Sequence, residues 1–253
     1  MRRYTVSALR LNLRSMLSAS AILLLTLSCS VQPRAELAAY GDSVTWGYGD
    51  LPGGWVRRVE QGSGYAVANL GVPGEKANAA DQRADAALRT VPLAKVVFLL
   101  HGGNDWVHIF STTDCLRTCD PATVDRKYED IADHLRSIRS TIVKRGKKAV
   151  FLTYWPNSRA KCDNYSDEGF AVFQAHRIYL DNKIIAVAAE HGDKVIDMRE
   201  MQDFGADADF FDCLHPSAQG YKKIAGKILE EVGDWAPPDP EPKDLLKGGP
   251  IRW

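Results

Sequence analysis

A serine near the beginning of the chain has the position expected of a nucleophile. Ser43 follows the apolar segment Leu37–Tyr40, which has the length of a buried strand, and Gly41 permits a sharp turn at its end. In an open α/β sheet, ligands bind at the edge where the strands end, so the Ser43 hydroxyl would lie at that edge. A serine that only caps a helix or closes a turn is the alternative interpretation of this residue taken alone.

A base for this serine is available near the other end of the chain. Asp212 and His215 lie three residues apart, directly before an amphipathic segment with helical spacing. A carboxylate that orients an imidazole, which then takes the proton of a serine hydroxyl, is the arrangement of the Ser-His-Asp triad. We therefore predict that Ser43, Asp212 and His215 are the catalytic residues. In this scheme His215 accepts the Ser43 proton and returns it to the leaving alcohol.

Four short blocks, taken together, resemble the SGNH (GDSL-type) esterase/lipase family. They are Gly41-Asp42-Ser43, Asn69-Leu70-Gly71-Val72-Pro73-Gly74, Gly102-Gly103-Asn104-Asp105 and Asp212-Cys213-Leu214-His215. All four occur in the family order, and the resemblance extends over about residues 36–232. One departure is Val44, which stands where the family name implies leucine. The resemblance implies an ester hydrolase that uses no cofactor.

By the same resemblance, three donors meet the negative charge that develops on the ester oxygen. They are the backbone N–H groups of Ser43 and Gly74 and the side-chain amide of Asn104, which together form the predicted oxyanion hole. Pro73 precedes Gly74 and departs from the family pattern at the residue that would set the direction of that N–H group.

The function that these residues favour is an exported serine hydrolase that cleaves small-molecule, lipid or sugar esters through an acyl-serine intermediate. A carbohydrate O-acetylesterase and a lysophospholipase or thioesterase would use the same site. An alternative of another class is a non-catalytic, envelope-anchored binding lipoprotein with the same fold.

The composition and the histidine spacing argue against other ligands. The number of Lys and Arg residues equals the number of Asp and Glu residues, 32 each, so there is no excess of basic residues for nucleic-acid binding. The histidines show no metal-ligand spacing, so we predict no metal. An esterase that works through an acyl-serine intermediate is also expected to use no cofactor.

The first 28 residues have the pattern of an export signal. Four arginines precede an apolar run of about a dozen residues, which is shorter than the roughly 20 residues that span a bilayer. The segment Leu25-Thr26-Leu27-Ser28-Cys29 resembles a bacterial lipobox, so we favour Cys29 as a lipidated first mature residue. Ordinary cleavage nearby and an uncleaved anchor are the alternatives. The predicted location is the bacterial periplasm, the cell envelope or the exterior, with membrane contact only through this segment.

Four further cysteines form an even set in a chain that we expect to be exported, which predicts two disulfides. Four cysteines allow three pairings. We favour Cys115 with Cys119, which closes a short loop, and Cys162 with Cys213. The second bond would tie the loop after the fourth predicted strand to the loop that carries the predicted base.

Apolar runs alternate with helical patterns along the rest of the chain. Strands are predicted at residues 37–40, 65–70, 96–100, 148–154 and 194–198, and helices at 55–61, 76–89, 123–145, 168–191 and 218–232. Residues 105–121 are predicted to be a long functional loop. The alternation predicts one three-layer α/β/α domain, residues 36–233, with a five-stranded parallel sheet. The family resemblance implies the flavodoxin-like strand order 2-1-3-4-5.

Residues 234–253 contain five prolines and are predicted to be an extended or disordered tail.

Other polar and aromatic residues lie near the predicted edge. Asp42 and Asp105 are expected to shape their turns by hydrogen bonds rather than to react. His101 lies beside the site, His108 is a candidate substrate contact in the long loop, and the remaining histidines are expected at the surface or half-buried. Six aromatic residues are expected to form either an apolar acyl or aryl pocket or ordinary packing contacts: Trp46, Tyr48, Trp106, Phe110, Tyr154 and Trp155.

Overall fold

The centre of the protein is a single sheet of five parallel strands. The structure, a computed structural model, describes residues 34–50, 53–113 and 120–232. Within them the strands are β1 (Leu37–Gly41), β2 (Val67–Gly71), β3 (Val96–Leu100), β4 (Lys148–Leu152) and β5 (Lys194–Ile196). Neighbouring strands follow the order β2-β1-β3-β4-β5, which confirms the prediction. In the register of the sheet, Gly41 lies opposite Gly71 and Leu100, so the first three strands end at the same edge.

Helices cover both faces of this sheet. They are α1 (Ser43–Trp46), α2 (Gly54–Ser63), α3 (Ala77–Arg89), α4 (Gly103–Thr113), α5 (Pro121–Lys144), α6 (Asp167–Ala189) and α7 (Ala218–Val232). Short 3₁₀ turns lie at Ala160–Cys162, Met198–Glu200 and Asp207–Asp209. Helix α2 packs against α7, while α3 packs against α5 and α5 against α6. Right-handed crossovers place these two groups on opposite faces, which gives the predicted three-layer architecture.

The sequence forms these layers because its apolar residues repeat with the period of each element. Every residue of β1 and β3 is buried, as expected for strands covered on both faces. In α5, buried residues recur at helical spacing from Val124 to Ile142. Asp120 caps this helix by accepting a hydrogen bond from the Thr123 N–H at 3.0 Å.

One prediction about the architecture is wrong. Residues 105–113, predicted as part of a long loop, belong to α4 instead. Gly102 and Gly103, which lie between β3 and this segment, favour a loop. Trp106 and Phe110, however, lie about one helical turn apart and pack against Phe173 of α6, with ring centroids 4.3 and 5.2 Å away. The other predicted helices and strands end within two residues of the observed positions.

Three predictions concern residues outside the described ranges. They are the export signal in residues 1–28 with lipidation at Cys29, the Cys115–Cys119 disulfide, and the tail at residues 234–253. These stay predictions. Among the helices in the described ranges, none is both long and apolar enough to cross a membrane.

Candidate active site

Ser43 lies at the carboxyl edge of the sheet, on the short helix α1 that begins as soon as β1 ends. Gly41, the last residue of β1, has no room for a side chain, because a Cβ atom there would lie 2.8 Å from the Leu100 carbonyl oxygen. Asp42 caps α1, since its Oδ1 accepts a hydrogen bond from the Val44 N–H at 2.9 Å. The serine therefore sits on a tightly fixed turn.

The structure brings the side chains of Ser43, His215 and Asp212 together. Ser43 Oγ lies 3.0 Å from His215 Nε2, although the two residues are 172 positions apart. On the other side of the imidazole, His215 Nδ1 lies 2.8 Å from Asp212 Oδ2. These distances suit an imidazole that carries its proton on Nδ1, bonded to the carboxylate, and accepts the serine proton on Nε2.

Asp212 is fixed by its own loop. Its Oδ1 accepts hydrogen bonds from the backbone N–H groups of Leu214 at 2.8 Å and His215 at 2.7 Å. Partial burial works to raise the pKa of Asp212, but these bonds and the imidazole contact outweigh burial and hold the pKa below its usual value. The group that faces His215 is therefore an ionised carboxylate in a closed, hydrogen-bonded turn.

A disulfide joins this turn to the loop after β4. Cys213 is bonded to Cys162, which is the pairing favoured from the sequence. Cys162 is buried, and the Asn157 amide donates a hydrogen bond to the Cys213 carbonyl oxygen at 2.7 Å. The two cysteines are 51 positions apart in sequence, and the segment between them contains α6 and β5. The bond thus constrains the loop that carries Asp212 and His215.

Replacing both Cys162 and Cys213 with alanine should lower the free energy of unfolding by about 2–4 kcal/mol, because the unfolded chain regains the freedom that a cross-link over a long loop removes. Urea denaturation followed by circular dichroism measures this change. In a reducing buffer, the difference between the unsubstituted protein and the double variant should vanish. Equal urea midpoints in the absence of reductant would contradict a stabilising role for the bond.

A second buried network lies beneath Ser43. The Tyr154 hydroxyl donates a hydrogen bond to Asp42 Oδ2 and accepts one from the Gly103 N–H, each at 2.9 Å. A side chain at residue 103 would place its Cβ 2.7 Å from the Tyr154 oxygen, so the network requires glycine there. Burial raises the pKa of Asp42 to about 6, and the hydrogen bonds from Val44 and Tyr154 oppose that rise only in part. Asp42 thus has the structural role expected of it.

The raised pKa of Asp42 predicts a pH-dependent stability. The folded pKa of about 6 exceeds the ordinary value of 3.8, so the folded state holds this proton more tightly than the unfolded chain. The resulting stability is complete below pH 3.8 and is lost as the pH rises through about 6, a loss of about 3 kcal/mol. Asp42→Asn stays neutral. The free energy of unfolding of this variant, relative to that of the unsubstituted protein, should therefore rise by about 2 kcal/mol between pH 4 and 7.

Urea denaturation at several pH values between 4 and 7 measures this difference. Any constant cost of the asparagine cancels, because only the change of the difference with pH is used. Asp163→Asn, at an exposed aspartate, is the control and should show no such pH-dependent gain. Parallel pH profiles for Asp42→Asn and the unsubstituted protein would contradict the raised pKa.

The other two predicted oxyanion residues are placed differently. Asn104 lines the same cavity as Ser43, whereas Gly74 is exposed and is not among the residues that line it. The Asn104 amide donates one hydrogen bond to the Glu75 carbonyl oxygen at 3.0 Å, which ties the loop that contains Gly74 to α4. Asp105 strengthens this link, because its Oδ2 accepts the first backbone N–H of α3 at 2.9 Å.

A cavity of about 60 Å³ opens beside the Ser43 hydroxyl. Two polar residues on its wall, Asn157 and Arg177, were not identified from the sequence. Three of the six aromatic residues expected near this edge also line it: Trp106, Tyr154 and Trp155. The wall of the cavity thus combines aromatic side chains with polar groups.

An exposed aromatic surface lies outside the cavity. Trp46, Tyr48 and Phe211 line a shallow depression and are 41%, 43% and 55% exposed. The Tyr48 ring lies against the His215 imidazole, with 4.5 Å between ring centroids. Phe110, the last of the expected aromatic residues, packs against α6 instead.

The remaining histidines do not join Ser43 and His215. Burial lowers the pKa of His101 to about 3, so this ring is neutral. His108 lies on α4 and is exposed outside the cavity. The prediction for His176 is wrong, because its ring is fully buried and lies 2.6 Å from the Tyr128 hydroxyl. Within the described ranges, no group of three or more His, Cys, Asp or Glu side chains could hold a metal ion.

The fold and the cavity define a class of protein: a three-layer α/β/α domain with a serine, a histidine and an aspartate at the carboxyl edge of a parallel sheet. The sequence matches the pattern of the GDSL-like Lipase/Acylhydrolase family over residues 39–223. The chain therefore belongs to this family, and membership implies an ester hydrolase. No match was found among curated proteins.

Solved structures show the same fold. The lipase/acylhydrolase from Enterococcus faecalis is 23% identical, with a TM-score of 0.54, over 81% of this chain and 98% of that one. A member of the G-D-S-L lipolytic family from Veillonella parvula is 22% identical, with a TM-score of 0.54, over 78% and 97%. A carbohydrate acetylesterase from Sinorhizobium meliloti is 16% identical, with a TM-score of 0.58, over 79% and 99%.

Proposed function

We propose that the protein is an exported serine hydrolase that cleaves carboxylic esters through an acyl-serine intermediate. The observation that carries this proposal is the 3.0 Å contact between Ser43 Oγ and His215 Nε2, with Asp212 2.8 Å from the opposite ring nitrogen. A hydroxyl, an imidazole and a carboxylate at these distances form a proton-transfer chain that activates the serine. The reaction uses no cofactor.

In the first half of the reaction, Ser43 Oγ forms a bond to the ester carbonyl carbon while its proton passes to His215 Nε2. The carbonyl electron pair moves to the oxygen and gives a tetrahedral oxyanion. When this intermediate collapses, the bond to the alcohol breaks and the alcohol takes the proton from Nε2. Water then attacks the acyl-serine by the same steps, which releases the carboxylic acid and restores Ser43.

The backbone N–H groups of Ser43 and Gly74 and the Asn104 amide are the proposed oxyanion hole. Asn104 is better supported as a donor than Gly74, because the Asn104 amide has a second N–H besides the one bonded to Glu75. It also lines the cavity that contains Ser43. Since Gly74 does not line that cavity, its N–H would act only if the loop moved toward the substrate oxygen.

Asn104→Ala should lower kcat for p-nitrophenyl acetate by about 10²–10³, because one fixed donor to the oxyanion is lost. Steady-state kinetics measure the effect. Asn182→Ala, at an exposed asparagine on α6, is the matched control and should stay within about twofold of the unsubstituted protein. A kcat for Asn104→Ala within that range would remove Asn104 from the oxyanion hole.

The cavity size supports a short acyl group. A volume of about 60 Å³ holds only roughly four to six water-sized groups, at about 10–15 Å³ each. Acetyl and butyryl esters of p-nitrophenol should therefore exceed the octanoyl ester in kcat/KM by about tenfold or more. A preference for octanoate would favour the lysophospholipase or thioesterase alternative instead. Complete absence of hydrolysis across the series would favour the non-catalytic binding lipoprotein.

A carbohydrate O-acetylesterase is the second candidate function. The exposed rings of Trp46, Tyr48 and Phe211 support it, because they offer an apolar face for a sugar ring next to His215, which would protonate the leaving alcohol. Acetate release from O-acetylated sugars, compared with ethyl acetate, distinguishes this function from a general short-chain esterase.

Export is supported by two independent features. The first 28 residues have a charged segment followed by an apolar segment, as in export signals. The Cys162–Cys213 disulfide suits an oxidising compartment outside the cytosol. The proposed location is the bacterial periplasm, the cell envelope through a lipid on Cys29, or the exterior.

A further inference from the structure

A buried arginine lines the cavity that contains Ser43. Arg177 is only 5% exposed, yet it is among the cavity-lining residues. It lies on α6 within the buried stripe of Phe173, Leu180 and Ile184, where helical spacing would place an apolar residue. Arginine is almost never fully buried unless it is paired, so its presence in this stripe calls for a specific set of partners.

The partners of Arg177 occupy one side of its guanidinium group. Nε donates to Gln174 Oε1 at 3.0 Å, and Nη1 donates to Asp181 Oδ2 at 2.5 Å and to the Tyr154 carbonyl oxygen at 3.4 Å. Within the described part of the chain, Nη2 has no hydrogen-bond partner. Nη2 is not one of the fully buried donors that lack a partner, so it keeps contact with solvent, and a ligand that supplies an acceptor can bind there in place of that solvent.

Neighbouring contacts fix the position of this free nitrogen. Gln174, which holds Nε, also donates to Asn157 Oδ1 at 3.3 Å. Asn157 in turn donates to the Cys213 carbonyl oxygen at 2.7 Å and lines the cavity. Arg177 is therefore connected through two amide side chains to the loop that carries His215, and its guanidinium has little freedom to turn away.

The negative groups near Arg177 are already hydrogen-bonded. Asp181 Oδ1 accepts the Tyr154 N–H at 2.8 Å, and its other oxygen accepts from Arg177. Asp42, which also lines the cavity, accepts from Val44 and Tyr154. These carboxylates balance part of the field of the guanidinium but do not occupy Nη2.

We propose that Arg177 is a specificity-determining residue, whose Nη2, with the Asn157 amide from the wall of the same cavity, binds a carboxylate at the far end of a short acyl group. The preferred substrates are then half-esters of short dicarboxylic acids. A succinyl group has about five heavy atoms beyond the ester carbonyl, which agrees with a cavity of about 60 Å³ at roughly 10–15 Å³ for each water-sized group. A guanidinium bonded to a carboxylate forms a short, charge-assisted pair. This inference rests on the proposed ester hydrolysis at Ser43.

Three substrates of nearly equal shape test the proposal with the full chain. Monoethyl succinate ends in a carboxylate, ethyl succinamate in a neutral amide, and ethyl 4-methylpentanoate in two methyl groups. The kcat/KM for monoethyl succinate should exceed that for each of the other two esters by about tenfold or more. Equal or faster cleavage of the amide or of the dimethyl ester by the unsubstituted protein would overturn the proposal, and this measurement depends on no variant.

A charge-neutral double variant, Arg177→Gln with Asp181→Asn, should reduce the ratio of succinate to 4-methylpentanoate cleavage by about tenfold or more. The matched control is Arg139→Gln with Asp193→Asn. It removes an arginine–aspartate pair at the opposite end of the sheet, where Arg139 Nε lies 2.7 Å from Asp193 Oδ2, and should keep the ratio. If the first double variant does not fold, Arg177→Lys replaces it in the test. This variant keeps the positive charge but loses the planar set of N–H donors, so it should lower the ratio by a smaller factor. An unchanged ratio in the folded variant overturns the proposal.

Two further observations separate this inference from the proposed function. If ethyl acetate is cleaved and Ser43 reacts with a fluorophosphonate, but the succinyl ester is not preferred, then only the role of Arg177 is wrong. If no ester is cleaved and Ser43 does not react, then both the serine mechanism and the role of Arg177 are wrong.

Discussion

Ser43→Ala should lower kcat for p-nitrophenyl acetate by about 10⁴-fold or more, because the variant cannot form an acyl-serine and retains only binding and oxyanion stabilisation. Ser43 is 9% exposed and its hydroxyl contacts His215, so the loss of one oxygen atom leaves the surrounding backbone intact. Steady-state kinetics measure the loss, with the protein concentration determined by absorbance rather than by titration of the active site.

A matched variant separates this effect from general damage. Ser137→Ala, at an exposed serine on α5, should keep full activity. Both variants should show the circular dichroism spectrum and melting temperature of the unsubstituted protein within about 2 °C. Activity of Ser43→Ala within tenfold of the unsubstituted protein would mean that another group is the nucleophile.

Asp212→Asn should lower kcat by about 10⁴-fold through the tautomer of His215. The N–H groups of Leu214 and His215 donate to Asp212 Oδ1 at 2.8 and 2.7 Å, so the oxygen of an asparagine would occupy that position. Its NH₂ group would then replace Oδ2, which lies 2.8 Å from His215 Nδ1. A donor facing Nδ1 favours the tautomer with the proton on Nε2, and that nitrogen can no longer accept the Ser43 proton.

The control for this second variant is Asp163→Asn, at an exposed aspartate, which should retain activity. The folded structure should persist in Asp212→Asn because the backbone hydrogen bonds remain. Kinetics at a single saturating substrate concentration and at low concentration separate kcat from kcat/KM. A loss smaller than about tenfold in both would show that Asp212 does not orient the imidazole.

Much of the fold could be predicted from the sequence, because it depends on local patterns. The apolar runs at β1 and β3 and the helical spacing in α5 each identify the type of element from neighbouring residues alone. Helix α4 could not be predicted from local patterns, because Gly102 and Gly103 at its beginning are typical of a loop. Its helical form is supported by packing of Trp106 and Phe110 on Phe173, a contact about 65 residues away in the chain.

Some residues of the candidate site could also be predicted from local sequence, whereas the positions of others depend on packing. Ser43, Asp212 and His215 are identified by short blocks whose residue types are rare in that order, and the structure brings their side chains together. Their catalytic roles stay predictions. The position of Gly74 outside the cavity depends on how its loop packs, which no local pattern specifies.

The position of Arg177 within an apolar helical stripe is a sequence signal for a buried polar residue. Arg177 occupies a position of α6 that the apolar stripe assigns to the core, and its partner Asp181 follows four residues later. A charged pair at this spacing within a buried stripe indicates a polar interior, and that indication was available from the sequence. The cavity that the arginine faces could be recognised only when α6 was placed against the turn that carries Ser43.

Covalent labelling with a fluorophosphonate probe, followed by peptide mass spectrometry, tests the central claim most directly. The account predicts that the Ser43 oxygen displaces fluoride from phosphorus, giving one adduct on the peptide that contains residue 43. It also predicts no adduct in Ser43→Ala and much slower labelling in Asp212→Asn. A protein whose residue 43 stays unmodified under conditions that label a known serine hydrolase in the same tube would contradict it.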